Sequence, residues 1–324
     1  MALPVVNPDA TERPTSLASE HEGSSLPRGC SLDIVTRESF PPTISGLLDA
    51  ATRKLQDNGF RTPRLDAELL LGEVLGMSRT AMLTWPERLI SSPPADCFHS
   101  LLARRLEHEP VAYILGRRGF YDFTLQVDRN VLIPREDTER LVDEAISWLR
   151  SRSHPHVLDV GTGSGAIAIA IARHCPTATV VGSDISTSAL EVAARNARTV
   201  GVSVDWRKGS LLEVVRQNEQ FDLVVANLPY ISAQEFETLE RNVRDYEPIT
   251  ALVADDNGLA LIHQLCDEVG SSLHPGGALA LEIGAGQAAP VTVRMHKSGF
   301  TSIRVVTDLS GHDRVVWGQS WTRP

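Results

Sequence analysis

Apolar side chains recur at helical spacing from Thr43 onward: Ile44, Leu47, Leu48, Ala51 and Leu55, then Leu65, Leu69, Leu70 and Leu75, then Phe98, Leu101, Leu102 and Leu106. These stripes predict a small helical domain over 43–109, punctuated by Gly59, Gly76 and the Pro93-Pro94 pair, with the apolar residues as its core. Residues 110–135 read as a linker. Within it Phe120, Phe123, Leu125, Val127, Val131 and Ile133 predict a β-hairpin of two short strands around Asp128-Arg129-Asn130. Residues 1–42 scatter proline, serine, threonine and acidic side chains without an apolar period, and so read as a disordered N-terminal extension. Asp9, Glu12, Glu20, Glu22 and Asp33 argue against an acid-poor transit peptide, and no secretory apolar run is present.

From 136 to 324 the pattern changes to alternating strand and helix. Short apolar, β-rich runs at 156–160, 179–184, 203–207, 221–226 and 278–283 are separated by helical patterns at 165–174, 187–200 and 258–272, which predicts an open parallel α/β sheet. Two final runs, 302–306 and 314–318, flank a short turn at Gly311 and His312, so the last strand should return antiparallel. A doubly wound sheet ending in such a hairpin resembles the class I S-adenosylmethionine (SAM) methyltransferase fold. A nicotinamide-binding sheet does not normally end that way.

Composition narrows the class. With 42% hydrophobic and 22% charged residues and a mean hydropathy of -0.10, the 324-residue chain reads as a soluble globular protein, not a collagenous or membrane-spanning one. A formal charge of -10 disfavours stable nucleic-acid binding through phosphate neutralisation. Cys30, Cys97, Cys175 and Cys266 lie far apart without a C-x-x-C pair, and the ten histidines form no metal-ligand spacing. No metal is therefore expected, and a reducing cytoplasm fits best.

Candidate chemistry begins at Val157-Leu158-Asp159-Val160-Gly161-Thr162-Gly163-Ser164-Gly165, where three glycines at alternate positions join a buried strand to a helix. Glycine there lets the backbone turn sharply and approach a ligand. The next strand delivers Asp184, nineteen positions beyond Gly165, where a carboxylate can accept both hydroxyls of a ribose. That acid fits either a nicotinamide or a SAM ligand. The loop discriminates, because the dinucleotide fingerprint requires glycine at 166, which is Ala166.

A later strand, Phe221–Ala226, ends in Asn227-Leu228-Pro229-Tyr230, and strand carboxyl ends line the ligand crevice of such sheets. A planar amide or aromatic-amine nitrogen is a poor nucleophile because its lone pair is delocalised. Two oxygens, the Asn227 side-chain carbonyl and the Leu228 backbone carbonyl, can hold both N–H bonds and aim the lone pair at a methyl group. They also stabilise the positive charge that develops on nitrogen. Pro229 stiffens the corner and Tyr230 offers a flat face to a planar acceptor. The corner alone does not separate a protein amide from a nucleobase amine.

With these motifs on view, the chain resembles the HemK/PrmC family, methyltransferases that modify the glutamine of the Gly-Gly-Gln loop in peptide chain release factors. The resemblance runs from about residue 44 to the end. It rests on Pro110 to Gly116, Phe120-Tyr121, Val131 to Arg135 with Thr138-Glu139, the glycine loop, Asn227 to Ile231, Glu247-Pro248, Leu281 to Gly284 with Gln287, and Asp308-Leu309 with Asp313 to Val316. It implies N5-methylation of glutamine using SAM, with Gly161, Thr162, Gly163, Ser164, Gly165, Asp184 and Asn227 contacting SAM and Leu211 lying against the adenine. It also implies that Asn227, Leu228, Pro229 and Tyr230 hold the glutamine, with Asn227, Pro229 and Tyr230 as the catalytic set, and that the helical domain and hairpin help dock the release factor. One departure is Leu228, where the family corner has a second proline. Asn-Leu-Pro-Tyr also resembles the corner of rRNA adenine dimethyltransferases, so adenine N6 is the alternative acceptor, and a catalytically silent SAM-binding docking protein is the alternative class. Arg104-Arg105 and Arg117-Arg118 read as solvated charges, because Glu107, Glu109 and Asp122 lie among them.

Overall fold

The computed structural model describes residues 42–320, so the expectation for the N-terminal extension falls, save for Pro42, outside the described residues. The first helix, α1 (Ile44–Asp57), starts where the Thr43 hydroxyl accepts from the Gly46 N–H at 3.1 Å, an N-cap that satisfies an otherwise orphaned donor. It is followed by α2 (Pro63–Leu75), α3 (Arg79–Thr84), α4 (Ser92–Leu106) and α5 (Val111–Leu115). Pro93 and Pro94 sit in the first turn of α4, where a missing N–H costs nothing. Ile44, Leu48, Leu55, Leu70, Phe98 and Leu102 close a core of their own. In α2 the inward face differs from the expected stripe: Leu65 and Leu69 are each 36% exposed, while Ala67, Leu70 and Leu71 are buried with Asp66 and Glu68. The acids turn inward because arginines meet them there, Arg105 on Asp66 at 2.7 Å and Arg64 and Arg79 on Glu68 at 2.8 and 2.7 Å.

The arginine pairs read as solvated are all engaged within the chain. Arg105 is buried on Asp66 and lies over the Phe60 ring, Arg104 forks onto Glu109, Arg117 meets Glu73 and Arg118 meets Glu136. Sequence proximity found one partner, Glu109, and Arg104 and Arg117 stay exposed with Arg118 half-exposed, but Arg105 is buried and the other carboxylates come from elsewhere in the chain.

A hairpin forms in the linker, but its turn lies earlier than expected. Strands β1 (Arg117–Phe120) and β2 (Phe123–Gln126) pair antiparallel with Phe120 opposite Phe123, and the turn is Tyr121-Asp122, with Tyr121 at φ 53°. The two phenylalanine rings meet edge-on at 6.0 Å. Asp128-Arg129-Asn130 is instead an Asx turn, its Asp128 Oδ1 accepting from the Asn130 N–H at 2.9 Å. It redirects the chain toward residues 131–134.

The remaining elements are α6 (Thr138–Leu149), β3 (His156–Val160), α7 (Ala166–His174), β4 (Thr179–Asp184), α8 (Thr187–Val200), β5 (Asp205–Lys208) and β6 (Phe221–Ala226), then the short α9 (Ala233–Phe236), α10 (Arg241–Arg244) and α11 (Asp255–Gly258), and finally α12 (Ala260–Glu268), β7 (Leu273–Glu282), α13 (Ala288–Lys297), β8 (Thr301–Thr307) and β9 (Asp313–Gln319). Two long helices, α6 and α13, were not expected from the sequence. The seven-stranded sheet runs β5-β4-β3-β6-β7-β9-β8, parallel from β5 to β7, with β9 antiparallel between β7 and β8. Alternate strand residues enter two cores. Val157, Leu223 and Val225 pack toward α6 and α7, while Leu158, Val224 and Ala226 pack toward α12 and α13. Covering both faces explains why adjacent residues in these strands, Val157-Leu158 and Leu223 to Ala226, are apolar rather than alternating with polar ones. Among the described residues no helix is long and apolar enough to cross a membrane.

Candidate functional site

The chain leaves β3 toward β4 and β5 on one side and later returns to β6 on the other. Strand direction of travel thus switches between β3 and β6, and the crevice opens at their carboxyl ends. A cavity of about 330 Å³ lies there, within the range of small-molecule sites. A wider depression of about 790 Å³, bounded by Arg216, Glu219, Glu268 and Ser272, lies at the amino ends of β6 and β7 and holds none of the loop chemistry.

The cavity wall contains Gly161, Thr162, Gly163, Ser164, Asp184, Leu211, Asn227, Leu228 and Pro229. Gly163, at φ 55°, donates its N–H to Asp184 Oδ2 at 3.0 Å, and the Ser186 N–H binds Asp184 Oδ1 at 2.9 Å. The carboxylate is therefore held rigidly, and each oxygen keeps lone-pair capacity for a hydroxyl. Leu211, at φ 44°, is held with its side chain 6% exposed. Asn196 on α8 anchors the loop from behind: its amide bridges Gln126 of the hairpin and the Ser164 carbonyl, the latter at 2.9 Å.

Gly165 and Tyr230 lie outside this wall. A Cβ on Gly165, which has φ 84°, would stand 2.9 Å from Ile169 and 3.1 Å from both Ala193 and Trp206, so this glycine lets α7 pack closely on α8 and β5. The Tyr230 carbonyl accepts from Gln287 Nε2 at 2.9 Å, and burial pushes its hydroxyl up from the ordinary tyrosine range. Gly258 passes so near that a Cβ there would run into the same Tyr230 carbonyl. The tyrosine thus braces the corner from behind.

Several wall residues escaped the sequence reading. Ile185, 56% exposed at the cavity rim, directly follows Asp184, and that position was its signal. Residues 129–135 approach from the linker, fixed by Arg135 and the Ile133 N–H on the buried Glu247 carboxylate, with the Ile133 bond at 3.1 Å. Only folding brings that segment across the sheet.

The Asn227 Nδ2 donates to Thr138 Oγ1 at 3.2 Å, while its Oδ1 takes no hydrogen bond from the described residues. Among the described residues, neither the N–H nor the C=O of Leu228 is engaged with another backbone group. Two acceptors are thereby left open at the corner.

Two carboxyls stand behind the wall. Asp159, fully buried, accepts from the Thr162 hydroxyl at 2.6 Å and the Ala168 N–H at 3.1 Å through one oxygen, and its other oxygen has no partner. Burial pushes it up to about 7, opposed by those two donors. Glu282, 1% exposed with Oε2 unpartnered, is likewise pushed up by burial to about 7, opposed by Thr138 and Arg314. Both folded values exceed those of the unfolded chain, so the folded state binds more protons between about pH 4 and 7. Stability contributed in that window is present at its acid end and lost as pH rises through it. Carboxylates held down by arginine, such as Glu219 beside Arg207 at about 2, are ionised in both states above about pH 5 and do not disturb the comparison. We expect Asp159→Asn to flatten part of the fall in urea-measured stability from pH 5 to 7.5. The difference between the two profiles isolates Asp159 from every other titrating group, and identical profiles would mean that burial does not hold its proton.

Residues 46–116 match the PrmC N-terminal domain family and residues 157–246 match a methyltransferase domain family. The chain is 39% identical over 278 residues to the release factor glutamine methyltransferase of Aliivibrio fischeri, covering 86% of this chain and 97% of that protein. It is 40% identical to the proteins of the same name from Caulobacter vibrioides (83% and 93% covered) and Vibrio cholerae (86% and 96% covered). With that identity carried across nearly the full length of these relatives, the chain belongs to the release factor glutamine methyltransferase family.

Proposed function

We propose that this protein transfers a methyl group from SAM to the side-chain amide nitrogen (N5) of the glutamine in the Gly-Gly-Gln loop of a peptide chain release factor. The observation that carries this reading is the pair of unengaged acceptors at the corner, Asn227 Oδ1 and the Leu228 carbonyl, beside a glycine loop and an anchored Asp184. A cytoplasmic location belongs to the same reading, since the substrate is a translation factor.

The cavity suits SAM on its own chemistry. Asp184 offers acceptors for ribose hydroxyls, Leu211 and Ile185 offer apolar surface to a base, and a Cβ at Gly163 would project into open space. The start of α7 at Ala166 and Ile167 lines the cavity, where helix-terminal N–H groups favour a carboxylate. When bound, SAM supplies an electrophilic methyl group on a sulfonium. Asn227 Oδ1 and the Leu228 carbonyl would accept the two N–H bonds of the glutamine amide, turn its lone pair out of conjugation and toward that methyl, and stabilise the positive charge on nitrogen until it gives up one N–H proton to water, the S–CH3 bond pair remaining on the sulfur of the departing S-adenosylhomocysteine. Pro229 restricts the backbone, and Tyr230 holds the corner in place through its carbonyl and half-buried ring. The test is mass spectrometry of a purified release factor before and after incubation with this protein and SAM, with a gain of one methyl on the loop glutamine as the expected result.

Leu228 allows a narrower test. Its side chain, 5% exposed, packs against Gly161, but only its backbone oxygen enters the chemistry. Leu228→Pro is expected to keep turnover within about tenfold, because the acceptor set is retained. Lost apolar packing should cost about 1–3 kcal/mol of stability, read by thermal unfolding. Abolished methylation with intact SAM binding would mean that the corner works differently.

A further inference from the structure

Three side chains from three elements meet at the corner: Thr138, the first residue of α6, and Asn227 after β6, both of which line the cavity, and Glu282, the last residue of β7. Strands β6 and β7 pair with Ala226 opposite Leu281, so Asn227 and Glu282 emerge side by side. Thr138 is 4% exposed and Glu282 1%, and the Thr138 hydroxyl and the Asn227 amide both favour the ionised Glu282 carboxyl against its burial. Glu282 is not part of the cavity wall.

We propose that Glu282, acting with Thr138, is a positioning residue that fixes the Asn227 amide with its Nδ2 toward the protein and its Oδ1 toward the cavity. Its catalytic consequence rests on the function proposed above, in which Oδ1 accepts a substrate N–H. The two ends of an asparagine amide have nearly the same shape and differ only in hydrogen-bonding character. Their orientation is therefore decided by what faces them. The Thr138 oxygen accepts from Nδ2, which leaves the hydroxyl hydrogen free to be donated to the Glu282 carboxyl. The Arg314 guanidinium makes its ion pairs with Asp308 at 3.0 Å and Asp137 at 3.2 Å, not with Glu282. Turning the amide over would draw the Thr138 hydroxyl hydrogen onto Oδ1 and set that oxygen against the ionised Glu282 carboxylate, which would then lose both of its donors in a buried place where an unmade hydrogen bond is costly.

Three variants test this. Thr138→Val keeps shape but removes the hydroxyl, and Glu282→Gln introduces an N–H donor that favours the reversed amide. Each is expected to lower kcat about 10–100-fold, the usual range for loosening one preorganised polar group, with SAM affinity and the KM for release factor moving less than about threefold. Thr138→Ser restores the hydroxyl and should recover most of the lost kcat, which a role in packing volume alone would not produce. A second readout does not depend on activity. The Asn227 side-chain amide signals, assigned in NMR spectra by their absence from Asn227→Ala, should exchange slowly with water in the parent protein and in Thr138→Ser, and faster in Thr138→Val and Glu282→Gln. Parent-like kcat and parent-like amide exchange in Thr138→Val and Glu282→Gln would overturn the proposal, as would a Thr138→Ser variant as impaired as Thr138→Val. An inactive parent protein would instead overturn the functional reading, and the amide signals would still decide the positioning role.

Discussion

Asn227→Ala is expected to lower methyl transfer by about 10²–10³-fold, comparable with removing one preorganised polar group from a catalytic site. Asn227 offers a side-chain acceptor left open at the corner by the described residues, and its own donor end is already committed to Thr138 at 3.2 Å. The loss should fall on kcat, because the interaction strengthens as charge develops on the substrate nitrogen. Release-factor docking should change little, since a protein partner binds over a surface far wider than one amide. The substrate side supplies the complementary experiment. Gln→Glu in the Gly-Gly-Gln loop is expected to abolish labelling, because a carboxylate has no nitrogen to methylate. Efficient methylation of the Glu variant, or of rRNA adenine N6 in place of glutamine, would sink the glutamine assignment and promote the nucleobase reading. Binding of SAM without transfer to any acceptor would favour a silent docking protein.

Asp184→Ala is expected to weaken SAM binding by about 1.5–3 kcal/mol, the usual contribution of charge-assisted hydrogen bonds, or roughly 10–150-fold in Kd. The structure adds a second route to the loss. Asp184 binds the Gly163 N–H at 3.0 Å and the Ser186 N–H at 2.9 Å, so alanine also unties the glycine loop from the start of α8. Asp184→Asn separates the two, since its remaining carbonyl can keep one backbone donor while the ribose loses a charged acceptor. Titration calorimetry reads both variants. Unchanged SAM affinity in Asp184→Ala, or a preference of the parent protein for NAD, would overturn the assignment of this carboxylate.

Local pattern sufficed for much of the architecture, for a definite reason. Strands β3, β4 and β6 are covered on both faces, so each carries adjacent apolar residues, Val157-Leu158, Val180-Val181 and Leu223 to Ala226, and the glycine loop is contiguous in sequence between β3 and α7. The antiparallel return at the end was legible because Gly311, at φ 85°, marks its turn. Helix α6 carried a signal as well, Leu141, Val142, Ala145, Ile146 and Leu149 at helical spacing, yet the reading passed over it. The hairpin turn was misplaced because Asp128-Arg129-Asn130 has strong turn chemistry, whereas Tyr121-Asp122 has little. What selects the latter is the pairing of Phe120 with Phe123 across the strands.

Residue types and spacing along the chain established that a glycine loop, a ribose-type acid and an acceptor corner would converge on one crevice, because strand order and direction carry them there. Spacing did not say which way each of them would face. Gly165 turned to helix packing, Tyr230 to bracing the corner, and Asp66 and Glu68 inward to arginines up to 39 residues away. Thr138 and Glu282, separated from Asn227 by 89 and 55 positions, meet it only after α6, β6 and β7 have packed. Periodicity reports burial, which every residue expresses through its own side chain. Orientation of a polar group depends on the donor or acceptor opposite it, and that partner comes from elsewhere in the folded chain.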